Sequence, residues 1–217
     1  MKIRKNINRR KKRTEKILKE LKKIVPDAEM ILKYKNNWEL LVAVILSAQC
    51  TDKKVNEVTE KLFKKYRKLE DYVKVSANRR TIKEFEEDIY ATGFYKNKTK
   101  NILSAARYIK SKYGGKIPKT MEEILTIPGV GRKTANVVLG NAYGVVEGIA
   151  VDTHVFRLAH VLELSDGKTT EMVERDLMNL FPKMEWFKLT YYLIEYGRRF
   201  CPARKHNHKN CPLSTIL

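Results

Sequence analysis

The sequence predicts an all-α protein, and three observations predict it. Apolar residues recur at three- and four-residue spacing through most of the chain, no segment alternates convincingly like a strand, and turn-forming residues gather between the periodic segments. Residues 17–25 place Ile17, Leu21 and Val25 along one stripe, and Pro26–Asp27 ends it. Residues 40–48 carry the same helical spacing of apolar residues, after a turn at Asn36 and Asn37. Segments 55–63, 82–89 and 102–109 repeat the amphipathic spacing, with Gly93 between the last two and Gly114, Gly115 and Pro118 after them. A short apolar run at 135–139 precedes turns at Gly144 and Gly148. Segments 155–161, 172–180 and 186–194 complete the series, divided by Asp166–Gly167 and Pro182. No internal repeat or low-complexity linker interrupts it.

At 217 residues and 43% apolar content, the chain can bury a proper core as one large domain or two small ones. Its 45 Lys and Arg against 25 Asp and Glu give a formal charge of +20, the field of a protein that meets polyanions. Charge alone does not choose DNA: RNA-binding and ribosomal proteins share it, and the Lys and Glu usage also suits a thermophile. Basic residues concentrate in MKIRKNINRRKKRTEKILKELKK, which reads equally as an arm gripping phosphate backbone or as a solvated tail. The basic start lacks the apolar core of a secretory signal, and the longest apolar run, 40–46, is far shorter than the roughly 20 residues that cross a bilayer. A soluble intracellular protein of the cytoplasm or nucleoid, monomeric and without membrane attachment, is expected. Three cysteines do not suggest a disulfide scaffold, and Cys50 reads as a small buried apolar residue.

The most informative stretch runs over 125–154, LTIPGVGRKTANVVLGNAYGVVEGIAVDTH. Pro128, Gly129 and Gly131 break one helix after Ile127, and Arg132 to Leu139 has the composition to start another, so the backbone must fold sharply between two short helices. Bare amides in that hairpin, with the positive end of the second helix, make a socket for phosphate. Arg132 and Lys133 oppose the helix dipole at roughly 0.3–1 kcal/mol each, a penalty that a neighbouring anion reverses.

Together with ILSAQCTDKKVNEV at 45–58, TGFYKNKTKNI at 92–102, IPGVGRKTANVVL at 127–139, IAVDTHVFRLA at 149–159 and LIEYGRRFC at 193–201, this segment resembles the endonuclease III branch of the helix-hairpin-helix DNA glycosylases. The resemblance runs from about Trp38 to Cys211 with the blocks in the family's order. It implies a two-lobed all-α fold: a continuous six-helix lobe at 32–145, and a second lobe joining 1–31 to 146–217. The active cleft would lie between lobes, with Lys133 on one side and Asp152 on the other. By motif position Lys133 is then the nucleophile and Asp152 its acidic partner. The chemistry needs both types: a neutral amine attacks C1′ of a deoxyribose, displaces the base and leaves a Schiff base that can eliminate the 3′ phosphate, while a carboxylate stabilises the positive charge left on the sugar. Asp152 also suits the N-cap of the following helix, and the two roles are compatible. His154 reads as a packed or capping residue, outside the catalytic set.

A glycosylase must also extract its base and fill the gap. The resemblance assigns Gln49 and Phe94 to that wedge, although Gln49 could simply cap a helix and Phe94 could be a core aromatic. Gly129, Val130, Gly131, Arg132 and Thr134 of the hairpin join them as DNA contacts, as does Lys96, with Lys98 and Lys100 as further phosphate contacts. Ser47 and Asp52 could line the base pocket.

The C-terminus departs from the family. Its members commonly carry four cysteines spaced C-x6-C-x2-C-x5-C around a [4Fe–4S] cluster, whereas those positions hold Cys201, His208, Cys211 and Leu217. With two thiols missing, the expectation is a lost cluster, no cofactor, and a loop held by packing and hydrogen bonds. The alternative left open is zinc on Cys201, His206, His208 and Cys211. Even without a cluster, Arg198, Arg199, Arg204, Lys205 and Lys209 could contact backbone phosphate.

These observations together predict a bifunctional DNA glycosylase and AP lyase that removes oxidised pyrimidines from duplex DNA, with damaged or abasic duplex as its partner. Two alternatives stand beside it: a monofunctional mismatch or uracil glycosylase, and a noncatalytic DNA-binding module.

Overall fold

The computed structural model describes residues 2–216, with side chains described from Arg10 onward. Met1, Leu217 and the side chains of the first basic residues of the N-terminal run lie outside the described residues. The described residues form helices and 3-10 turns joined by loops, with no strand among them. They divide into two compact units: 31–145, and 1–30 with 146–217.

The continuous unit contains α2 (Asn37–Leu46), α3 (Asp52–Lys65), α4 (Leu69–Val75), α5 (Arg79–Ile89), α6 (Tyr95–Tyr113), the four-residue α7 (Met121–Ile124) and α8 (Arg132–Tyr143). Its centre is α2, where every residue from Trp38 to Leu46 is buried, as its continuous apolar run requires. Asn36 caps it by accepting the Glu39 amide at 2.9 Å, which answers one orphan N–H of the first turn. Helices α6 and α8 pack against α2, and α4 and α5 pack against α6. Trp38, Tyr66, Tyr72 and Phe85 interlock edge to face or tilted at 5.1–5.7 Å, geometry that adds to area burial.

The discontinuous unit contains α1 (Lys2–Ile24), α9 (Thr153–Val161), α10 (Thr170–Leu180), α11 (Trp186–Arg199) and a C-terminal segment of 3-10 turns. Ile17 and Leu21 of α1 and Val25 just after it meet Val155, Leu158, Val173, Leu177, Leu189 and Leu193 in one core, which also takes in Cys201, Cys211 and Leu213. Rim ion pairs join distant segments: Arg13 to Glu163 at 2.5 Å, Arg199 to Asp27 at 2.7 Å, and Arg10 to Asp166. The Arg199 guanidinium holds the Asp27 carboxyl below its usual range.

Three boundaries differ from the sequence expectation. The N-terminal basic run, read as an arm or tail, lies within α1 from Lys2 onward. Helix α4 is too short for a long periodic signal, although Leu69, Tyr72 and Val75 fall on one buried side. Helix α6 begins well before its apolar run, at Tyr95. Among the described residues no helix is long and apolar enough to cross a membrane.

Candidate functional site

The hairpin between α7 and α8 is built from a cap, a turn and a bare helix start. Thr120 caps α7 through the Glu123 amide, and the Val130 amide returns to the Ile127 carbonyl at 3.1 Å to close the turn. Ile124, Ile127 and Val130 are buried and anchor it. Gly129 has φ +81°, and a Cβ there would lie 2.6 Å from Asn101 Cβ, so both the dihedral and the neighbouring helix demand glycine. Gly131 is the N-cap of α8 and offers no capping side chain, and its Cβ direction is open. The start of α8 therefore lacks the side-chain cap that α2, α3 and α5 carry. Arg132 and Lys133 are exposed on its first turn and Thr134 is half-buried. Among the described residues no ion pair engages Lys133.

Beside the hairpin, within the same unit, is a pocket of about 260 Å³ whose walls include Gln49, Phe94, Asn101, Gly129 and Thr134. Residues from three separate sequence blocks thus meet around one opening. Gln49 has φ 52° and Phe94 φ 48°, both in the left-handed region that non-glycine residues rarely occupy. Each such residue costs of order 1–3 kcal/mol and persists only where its surroundings impose it. Phe94 is also 61% exposed, which removes the core reading of that aromatic. Lys96 and Lys100 are exposed on the first turns of α6. Ser47, half-buried, bonds the Val44 carbonyl at 2.8 Å, and Asp52 opens α3 just after its cap Thr51. Neither Ser47 nor Asp52 belongs to the pocket's lining. Cys50, expected in the core, is half-buried.

Lys98 departs from expectation. Grouped by sequence with the phosphate-contacting lysines, it is 4% exposed, and its Nζ donates to the carbonyls of Leu46 at 2.8 Å and Thr92 at 2.7 Å. Burial holds its pKa below the usual lysine range. The ammonium fastens the end of α2 to the turn before α6, immediately behind Gln49 and Phe94. Sequence reasoning missed this role because three lysines at alternate positions look alike until the helix phase of α6 turns the middle one inward.

In the other unit, Asp152 is the N-cap of α9, its Oδ1 accepting the Val155 amide at 2.8 Å. It is half-buried, and the preceding Ile149–Val151 strip is buried, with Thr190 of α11 holding the Ala150 carbonyl at 3.1 Å. His154 packs toward Gly197, where a Cβ would lie 3.1 Å from its Nδ1, so that glycine sets the close approach of α11 to α9.

The C-terminal loop corrects the expectation of no cofactor. Cys201, His206, His208 and Cys211 gather with all four candidate ligand atoms within 4.8 Å of one another. The loop thus brings two thiols and two imidazoles together as a set that could hold a metal ion. Counting thiols at fixed spacing treated His208 as a loss, but imidazole is also a metal ligand, and the loop turns His206 back onto Cys211. Leu217, the last position of the family's spacing, lies outside the described residues. The family's cluster takes four thiolates, whereas the donors gathered here are two thiols and two imidazoles.

Comparison with known proteins agrees with this architecture. Residues 42–183 match the HhH-GPD superfamily of base excision DNA repair proteins. Endonuclease III of Synechocystis is 45% identical over 95% of this chain and 92% of that protein. Endonuclease III of Bacillus subtilis is 43% identical over 94% of this chain and 91% of its own. The structure of a trapped endonuclease III–DNA covalent intermediate superposes with a TM-score of 0.88 at 42% identity, covering 95% of this chain and 94% of that one. A thermostable thymine-DNA glycosylase, at 22% identity and a TM-score of 0.78, shares the fold. A helical pair of units, a glycine hairpin opening an uncapped helix and relatives matched almost end to end lead to one assignment: the chain belongs to the HhH-GPD superfamily of base excision DNA repair proteins and, within it, to the endonuclease III family.

Proposed function

We propose that the protein is a bifunctional DNA glycosylase and AP lyase that removes oxidised pyrimidines from duplex DNA in the nucleoid, with Lys133 as nucleophile and Asp152 as its acidic partner. The observation that carries the reading is the pocket that gathers Gln49, Phe94, Gly129 and Thr134 from three sequence blocks beside the helix bearing Lys133. In this reading the hairpin amides and the start of α8 hold a backbone phosphate, Lys96 and Arg132 add charge, and Gln49 and Phe94 occupy the space vacated by the extruded base. Ser47 and Asp52, at the end of α2 and the start of α3, would line the base pocket outside the opening that Gln49 and Phe94 border.

The chemistry then runs in two stages. The neutral Lys133 Nζ bonds to C1′ as the C1′–N bond breaks, and the electron pair and a proton go to the departing base. The nitrogen lone pair then opens the C1′–O4′ bond, O4′ takes a proton, and a Schiff base is left; loss of a C2′ proton sends electrons toward C3′ and the C3′–O bond breaks to release the 3′ phosphate. The Asp152 carboxylate stabilises the positive charge that develops on the sugar in the first stage.

Borohydride trapping on a duplex containing thymine glycol or an abasic site tests the proposal. A covalent adduct is expected with the native chain and none with Lys133→Ala. Base release without any trapped adduct would favour a monofunctional glycosylase. Binding without base release would favour a noncatalytic module.

A further inference from the structure

The lysine chemistry leaves the C-terminal loop unused, and its donor geometry is specific. Cys201 Sγ lies 3.6 Å from His208 Nδ1, and Cys211 Sγ lies 3.3 Å from His206 Nε2. A tetrahedral zinc ion with Zn–S of about 2.3 Å and Zn–N of about 2.0–2.1 Å places sulfur and nitrogen ligands about 3.5 Å apart. These two sulfur–nitrogen distances stand near that edge length, and no two of the four ligand atoms are more than 4.8 Å apart. We propose that Cys201, His206, His208 and Cys211 hold one zinc ion in a closed, structural site.

The surroundings fit a ligand set already oriented for metal. The Arg204 carbonyl meets His206 Nδ1 at 2.8 Å, which fixes the proton there and leaves the Nε2 lone pair aimed at the centre. Arg157 donates to the Cys201 carbonyl at 2.5 Å and stands 3.6 Å from its sulfur, placing positive charge beside a thiolate ligand. Cys201 and Cys211 are 1% and 6% exposed within the core of the discontinuous unit, while His206 and His208 close the solvent side. Four protein ligands leave no open position, so the ion would fasten the loop to the end of α11 and take no part in base removal.

The pairing also distinguishes one ion from a mixed iron–sulfur centre. Where two histidines and two cysteines share a two-iron cluster, both imidazoles sit on one iron and both thiolates on the other. Here each sulfur has an imidazole nitrogen as close neighbour.

The test uses the full chain purified without chelator from cells supplied with both iron and zinc. The expected result is one zinc per chain by plasma mass spectrometry, with no visible absorption. Exchange into cobalt should give the visible bands of a tetrahedral thiolate site, and His206→Gln with Cys211→Ser should lose the bound metal. Iron accompanied by acid-labile sulfide would overturn the proposal. So would native protein that arrives metal-free and takes up neither zinc nor cobalt. If the double variant does not fold, the cobalt spectrum of the native chain decides by itself.

Discussion

At position 129 a dihedral and a neighbour make the same demand. With φ +81° and Asn101 Cβ 2.6 Å from where a methyl would stand, Gly129→Ala must move either the turn or α6. The left-handed conformation alone costs of order 1–3 kcal/mol. A fall in melting temperature of roughly 2–4 °C per kcal/mol is expected for a chain of this size, together with weakened DNA binding. A substitution that left both unchanged would show that the turn tolerates a side chain. Asp152 separates charge from scaffold. Asparagine caps a helix about as well as aspartate, so Asp152→Asn should retain the 2.8 Å bond to the Val155 amide and keep its melting temperature within a few degrees. Base excision should nevertheless fall severely in single-turnover assays, and unchanged turnover would remove Asp152 from the reaction. Residue types at these positions were legible because PGVGRK and VDTH are dense in meaning. The inward turn of Lys98 was not, since neighbouring lysines differ only in helix phase.

Among the elements, α2 and α6 form the frame of the pocket, and Lys98 is the bolt between them. Replacing it with methionine strands the Leu46 and Thr92 carbonyls that its ammonium now satisfies, at roughly 1–3 kcal/mol for each buried group left unpaired. The two strained residues at the pocket rim should relax with it. Lys98→Met is therefore expected to lower excision of a damaged base by more than it lowers strand cleavage at a preformed abasic site, which needs no base extrusion. An equal loss in both assays would reduce Lys98 to a purely structural residue. Most helices were visible from their apolar periodicity, as in 55–63 and 172–180. Helix α4 and the early start of α6 were hidden, because seven residues carry little periodic signal and TGFYKNK is dominated by turn formers and lysines. The loop at 201–211 misled for another reason: a ligand set shows itself by which atoms converge, and linear spacing does not report convergence.

For the molecule as a whole, the charge of +20 sets the mode of encounter with DNA. Affinity for undamaged duplex should fall steeply with salt, by about 0.9 in log–log slope for each phosphate neutralised. Fluorescence anisotropy across a salt series measures it, and a flat profile would assign the basic balance to some other purpose. The all-α class followed from pattern alone, whereas composition fitted one domain or two equally well. The second unit takes its first helix from one end of the chain and the rest from the other. During synthesis, residues 31–145 emerge as one continuous stretch that forms a unit of its own. Ile17, Leu21 and Val25 must wait uncovered until α9 and α11 emerge. The nascent protein thus carries a greasy stripe for most of its translation, and a chaperone that grips short amphipathic segments would find its natural client in α1.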